Sequence, residues 1–429
     1  MFKIGFSKVF MTPPVGTFMA GYAAREGPAI GVLDDLFIRT LYIGFGDKEW
    51  IISSLDLTGI DEDLYKDVTK SIEDDLGIPS ENIILSATHT HSGPDTRFYF
   101  SDPDDFLLEF IKRQILSSVK LAYQDKNNGR IGFIKSLIDK VSVNRRRPFE
   151  GLIDPDFHTI YFKRENKNPI LLNIFSCHPT VLGHINRYFS ADFPGVLNKY
   201  VEKWEGILSM FVAGVAGDIN PYTPLITING KYKRGKTTHK QVEWMGKILA
   251  AEAIKNYLLS EKYGSEIKEL NSISYITQLR SQISPDIIDE IDRISILKQE
   301  LANAIKLGDK SREQKIRFEL WKLRRIKRLY EIHGSNRVNV HVTILYGGDL
   351  AIVFLPGEIL VEVGLKIKFL SPFKNTVVVG YTNGYIGYVA LSQTYDLHGY
   401  ETTFPATVLM RGEGEKLVES VLKTLYKIS

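Results

Sequence analysis

Short runs of β-branched and aromatic residues alternate with stretches of helical periodicity along most of this chain, and that alternation constrains its fold more than any other feature. Leu36–Phe45 and Glu49–Leu55 read as strands joined at the turn Gly46-Asp47. Asp61–Leu76 reads as a helix and Asn82–Thr88 as a short buried strand. Asp104–Gln124 sets Leu107, Leu108, Phe110, Ile111, Ile115, Val119 and Leu121 at spacings that give a helix one apolar side. Ile131–Ile134, His158–Phe162 and Ile170–Phe175 predict further strands; Asp192–Trp204 and Thr237–Leu259 predict helices. Val338–Leu345, Leu350–Leu355 and Thr376–Val379 return to strand before a closing helix, Gly414–Tyr426. This order predicts an α/β fold, a mixed β-sheet core flanked by helices.

Pro285–His333 breaks the alternation, being highly charged and without a strand signal. Ile287, Ile291, Ile294, Leu297, Leu301 and Ile305 recur every three or four residues; after Gly308-Asp309 so do Ile316, Leu320, Leu323, Ile326 and Tyr330. The segment reads as an inserted helical hairpin, with residues 1–284 and 334–429 forming one catalytic domain around it. Its second arm is basic, through Lys310, Arg312, Lys315, Arg317, Lys322, Arg324, Arg325, Lys327 and Arg328. Such a pair is either a solvated hairpin whose cationic stems cover apolar surface, or a lid, a dimer arm or a contact for an anionic surface.

Composition narrows the function classes. Lys+Arg 54 against Asp+Glu 51 leaves a net charge of +3, no overall pull toward nucleic acid. The single cysteine, Cys177, excludes an internal disulfide framework and a Cys-rich zinc site. No apolar run approaches the ~20 residues of a membrane span, and the start lacks the pattern of a signal peptide. The expectation is a soluble cytoplasmic protein without a transmembrane segment, peripheral membrane contact remaining open.

The most informative stretch is Ser86-Ala-Thr-His-Thr-His-Ser-Gly-Pro94, directly after an apolar strand. Continued as a strand, it turns His89 and His91 to one face. His-x-His is a metal-binding arrangement, since neutral imidazole suits zinc, and equally two hydrogen-bonded histidines at a strand end. His178 ends the run Ile170–Phe175, as a ligand or a structural histidine. Glu358 follows Pro356-Gly357 after another strand and can be a ligand or an anion complementing a helix start. The aromatic run from Asn383 through Tyr385 and Tyr388 to Tyr395 and Tyr400-Glu401 is consistent with packing or with a site. What unites these candidates is their place at or just past strand ends, which converge along one edge of an α/β sheet.

In these motifs the chain resembles the catalytic N-terminal domain of the neutral/alkaline non-lysosomal ceramidases. The resemblance runs in order through Thr12-Pro-Pro-Val-Gly-Thr-Phe-Met-Ala-Gly-Tyr22, Ala87–Pro94, Asn144-Arg145 with Asp154-Pro155, and His178 with Ser190-Ala-Asp192-Phe-Pro-Gly195. It continues through Gly214-Val-Ala-Gly-Asp218-Ile-Asn-Pro221, Pro356-Gly-Glu358 and Asn383…Tyr388…Tyr400-Glu401. It implies Zn2+ held by His89, His178, Glu358 and Tyr388, a site lined by His91, Arg145 and Tyr400, and hydrolysis of a lipid N-acyl amide, ceramide being the family substrate. Three departures stand out. Asn220 occupies the place of a serine often given a nucleophile or substrate-contact role. Asp95 stands where glycine is usual. A C-terminal immunoglobulin-like domain, usual in the family, is not expected within these residues, which carry the Pro285–His333 hairpin instead.

With asparagine at that position, covalent catalysis from it is excluded, and the expected attacking group is water whose pKa zinc lowers to ~7. His91 would carry the proton; Arg145, Tyr400 and Asn220 would stabilise charge on the carbonyl oxygen. Asp192 and Asp218 read as acceptors orienting the imidazoles or as turn and cap aspartates. The alternatives are a metal-dependent amidase or deacylase for a non-ceramide substrate, such as an N-acyl amine or N-acetyl sugar, and a catalytically silent ligand-binding homologue. A metallophosphoesterase lacks support, because its Asp-x-His and Gly-Asn-His-Asp/Glu motifs are missing.

Overall fold

The computed structural model describes the whole chain apart from residues 149, 223–224, 229–230 and 235–237. The expected helix start at Thr237 and the side chain of Ile287 lie outside the described residues.

The apolar runs are strands whose alternate residues enter two different cores. In Ile83–Ala87, Ile83 and Leu85 face one core and Ile84 the other, which is why the run is apolar throughout. The main sheet has nine strands. Eight lie in the order Leu208–Ala213, Ile170–Phe175, Asp156–Arg164, Asn127–Leu137, Phe2–Phe10, Phe37–Phe45, Lys48–Leu55, Ile83–Ala87, and Ser265–Ile267 pairs beside Asn127–Leu137. Pairing is parallel at the two ends of this order and antiparallel between them. A four-stranded sheet, Asn271–Arg280, Arg337–Gly347, Leu350–Phe354 and Asn375–Val379, lies against it. Trp50, Ile52, Phe133 and Phe162 of the first sheet share a core with Leu345, Ile352, Phe354 and Val377 of the second. Helices cover the outside: Asp105–Gln124 packs on Phe2–Phe10 and Phe37–Phe45, while Asp192–Glu202 packs on Leu208–Ala213 and on His239–Tyr263.

The helices begin where their capping residues require. Asp61 accepts from the Asp63 N–H at the start of Glu62–Leu76, and Asp104 accepts from the Leu107 N–H at 2.7 Å. The largest elements beyond those expected are the central strand Phe2–Phe10, the strand Asn271–Arg280 and the helix Val361–Leu370.

Within the expected hairpin Pro285–His333, the paired arms are Arg293–Leu307 and Lys310–His333, preceded by the separate short turns Pro285–Ile287 and Ile288–Ile291. Gly308 takes φ 70° to end the first helix, and Asp309 caps the second through the Arg312 N–H. Leu297, Ala304, Ile316, Leu320 and Leu323 form the seam between the arms, while Trp321 and Leu329 of the second arm enter the main core. Not all of its cations are solvated. Arg324 donates to the Phe100 carbonyl and to Asp102, Arg328 grips Asp61, and Arg325 is buried. One side of the helix is therefore fastened to the body of the protein. Among the described residues, no helix is long and apolar enough to cross a membrane.

Candidate active site

The main sheet curls until its first strand approaches the last two: the Ser54 hydroxyl on Lys48–Leu55 donates to the Phe211 carbonyl across the gap. The segments leaving Ala87 and Phe175 then meet, with the rings of His89 and His178 4.7 Å apart. His89 and His91 do converge, but not by strand alternation. The strand stops at Ala87 and His89 sits at φ 66°. A tight turn, rather than a pleat, brings His91 Nε2 to 3.1 Å from His89 Nε2. Gly21, at φ 101°, lies against this turn, and a Cβ there would fall 2.6 Å from the His91 ring.

Main-chain carbonyls fix the two most buried imidazoles. His89 Nδ1 donates to the Thr58 carbonyl at 2.5 Å, and His178 Nδ1 to the Ala216 carbonyl. A carbonyl only accepts, so both Nδ1 atoms carry the proton and both Nε2 atoms present lone pairs. Those lone pairs face Glu358, whose Oε2 lies 3.1 Å from His178 Nε2 and 3.6 Å from His89 Nε2. Burial pushes His178 down to about 4 despite the pull of Glu358, so its imidazole is neutral at pH 7. Burial lowers His91 as well, helped by the neighbouring His89.

Three buried acceptors facing one another repel unless a cation lies between them. A tetrahedral ion with ligands at ~2.0–2.1 Å sets those ligands ~3.3 Å apart, and the spacings here straddle that value. The ligating atoms of His89, His91 and His178 all lie within 4.8 Å of one another. The donor set fits a metal ion, with imidazoles oriented through their other nitrogen as metal-binding histidines are. His91 differs, because its Nδ1 has no hydrogen-bond partner among the described residues.

Glu358 and Tyr388 stand directly opposite in a two-residue parallel ladder, Glu358–Ile359 on Tyr388–Val389. The Tyr388 hydroxyl accepts from Arg145 Nη2 at 3.0 Å, and burial holds this phenol well above its ordinary pKa. Arg145 Nε donates to Glu401 at 2.7 Å, and Glu401 also binds Arg146 at 2.6 Å. Asn220 meets this group through its Oδ1, 3.5 Å from Arg145 Nη1, and does not itself line the cavity. The Tyr400 ring lies 5.6 Å from that of Tyr388 and is 46% exposed.

Asp192 and Asp218 do not orient the imidazoles, since carbonyls do so. Asp192 accepts from the Leu182 and Phe193 N–H groups. Asp218 accepts from the Val361 N–H and from Asn144, while its carbonyl accepts from the Arg145 N–H. Asp95 organises a loop: its carboxylate accepts from the N–H groups of Arg97, Phe100 and Ser101.

All this borders a cavity of about 890 Å³. Its lining includes His89, His91, Glu358, Arg145, Tyr388 and Tyr400, together with residues outside the expected ligand and catalytic set. Arg97 comes from the Asp95 loop, and Phe318, Trp321 and Arg325 come from one face of the second hairpin helix. Tyr385 adds its ring to the wall and its hydroxyl to Glu358.

Residues 2–224 match the family model of neutral/alkaline non-lysosomal ceramidase, N-terminal. The chain belongs to the neutral/alkaline non-lysosomal ceramidase family. Solved ceramidases share its fold. Neutral ceramidase from Pseudomonas aeruginosa superposes with a TM-score of 0.77 at 19% identity, covering 100% of this chain and 74% of that one. A ceramidase complexed with C2 gives 0.76 at 18% identity, covering 100% and 75%. The mixed sheet flanked by helices is thus the ceramidase fold, and this family member is a ceramidase-like hydrolase.

Proposed function

We propose that this chain is a zinc-dependent hydrolase of N-acyl amides, with water rather than a side chain as the attacking group. The observation that carries the reading is the pair of carbonyl-pinned imidazoles presenting lone pairs to the buried Glu358 at the wall of a large cavity. His89, His178 and Glu358 would hold the metal, with Tyr388, opposite Glu358 in the ladder, as the fourth ligand. Zinc there would act as a Lewis acid and acidify a water near neutral pH.

The side chains have separate tasks. His91, with its Nδ1 unengaged, takes a proton from the attacking water and returns it to the departing nitrogen. Water adds its oxygen to the acyl carbon, the C–N bond breaks, and a fatty acid and an amine leave. Arg145 donates to the carbonyl oxygen as charge develops there, its guanidinium aimed by Glu401 and Asn220. Tyr400 lines the site at its exposed side. Phe100, Phe318, Trp321 and Leu397 give the wall an apolar stretch suited to an acyl chain.

Metal analysis of purified protein tests the ligand set. Wild type is expected to carry close to one zinc per chain, and His89→Ala and His178→Ala far less. Near-stoichiometric metal in both variants would reject the assignment. A panel of N-acyl sphingosines, N-acyl amines and N-acetyl sugars then sorts substrates.

A further inference from the structure

Two arginines in the cavity wall have no counter-charge. Arg97 and Arg325 are 3% and 2% exposed, and neither forms an ion pair among the described residues. Among the described residues Arg97 Nε and Nη1 and Arg325 Nε have no hydrogen-bond partner; Arg325 Nη2 donates to the Ala406 carbonyl. Both guanidinium groups lie on the same two rings. Arg97 Cζ is 3.9 Å from the centre of Tyr385 and 4.8 Å from Tyr99, and Arg325 Cζ is 5.3 Å from each. Ring faces recover part of the lost hydration of a cation, but they do not neutralise it. Two like charges buried side by side are costly unless an anion joins them.

No carboxylate of the wall is free to be that anion. The cavity is lined by five arginines, Arg97, Arg145, Arg146, Arg147 and Arg325, against Glu358 and Glu401. Glu401 is taken by Arg145 and Arg146, and Glu358 by the histidines and Tyr385. Both unmatched arginines are also held deliberately in place. Asp95, standing where the family usually has glycine, gathers the N–H groups of the loop that carries Arg97. Arg325 is brought in by a helix whose next turn is locked to Asp61 through Arg328.

We propose that Arg97 and Arg325 form an anion subsite beside the metal-binding cluster, and that the preferred substrate is an N-acyl amide carrying an oxyanion: a carboxylate, sulfonate or phosphate. Uncharged ceramide leaves the pair unmatched. The substrate assignment rests on the amide-hydrolase reading; the subsite itself does not.

The test pairs amides of equal chain length. Zinc-replete enzyme is offered N-lauroylglycine, N-lauroyltaurine and the neutral N-lauroylethanolamine. The expected ratio of kcat/KM, anionic over neutral, exceeds tenfold and falls at least tenfold in Arg97→Met and Arg325→Met. Arg97→Lys, which retains charge and guards against a folding defect, restores part of it. A ratio near one in wild type, or one unmoved by the substitutions, overturns the proposal. Thermal unfolding supplies a readout independent of turnover: N-lauroylglycine raises Tm more than the ethanolamide in wild type but not in Arg97→Met. That result without turnover of any amide keeps the subsite and discards the amidase reading. Turnover without charge preference or differential stabilisation does the reverse. Stabilisation by inorganic phosphate alone, with none by N-lauroylglycine, assigns the site to a free ion and overturns the substrate proposal.

Discussion

Arg328→Met should loosen the hairpin from the cavity it lines. Arg328 donates from Nε to Asp61 at 2.9 Å, from Nη2 to Asp61 at 2.5 Å, and again from Nη2 to Asp63 at 2.7 Å. Side-chain exposure is 13% for Arg328 and 5% for Asp61, so this is a buried, bidentate pair; Asp63, 60% exposed, adds little. Removing one partner of a buried pair costs about 3–5 kcal/mol. The lower end applies here, because Asp61 keeps its bond from the Asp63 N–H. A loss of about 3 kcal/mol raises the open population of the hairpin on the order of 100-fold. Amide exchange over residues 310–333 should accelerate by that factor if opening is local. Spread over global unfolding, at ~2.1 cal/mol/K per residue, the same loss lowers Tm by about 3 °C. Asp61→Asn separates the two roles of Asp61, since asparagine caps a helix as well as aspartate does. It should reproduce the Arg328→Met effect, and the double variant should cost less than the sum. Exchange within threefold of wild type in Arg328→Met would refute the assignment of this pair as the hairpin's anchor.

Two further outcomes follow from the geometry. Gly21→Ala places a Cβ 2.6 Å from the His91 ring at φ 101°. It should displace that imidazole and lower kcat by up to about 100-fold while zinc content stays near wild type; unchanged kcat would remove His91 from proton transfer. His158 is fully buried, and burial followed by Lys368 holds its pKa down to about 3, against ~6.5 unfolded. Between those values only the unfolded chain takes up the proton, so stability falls as pH drops through that window, by about 1.4 kcal/mol per unit. His158→Gln should flatten urea midpoints measured from pH 7 to pH 4. A slope equal to wild type would count against this.

The convergence of His89, His178 and Glu358 was legible because these residues sit where strands stop. His89, His178 and Glu358 each follow an apolar run, and a sheet gathers such ends whatever its exact topology. The hairpin was legible from its spacing and from Gly308-Asp309. Other features were not. Phe2, Ile4 and Phe6 alternate as a strand should, but the run is brief and broken by glycine and lysine. The imidazole-orienting acceptors are carbonyls of Thr58 and Ala216, and a carbonyl leaves no trace in residue type. Arg97, Tyr385 and Arg325 meet only because the hairpin folds back onto the sheet ends. Asp95 was the local signal of the Arg97 loop alone, while Tyr385 stood in the aromatic run and Arg325 in the basic arm with nothing to show that they meet.

Asp218 ties three separate loops together: its side chain binds the helix start after Glu358 and the Asn144 amide, and its carbonyl receives the Arg145 N–H. The side of the cleft that carries Glu358 and Arg145 is therefore tied into one unit, whereas the opposite side is a separate helix clamped at Arg328. Exchanging Phe318, Trp321 or Arg325 should therefore reshape the cavity wall while the spacing of His89, His178 and Glu358 is kept.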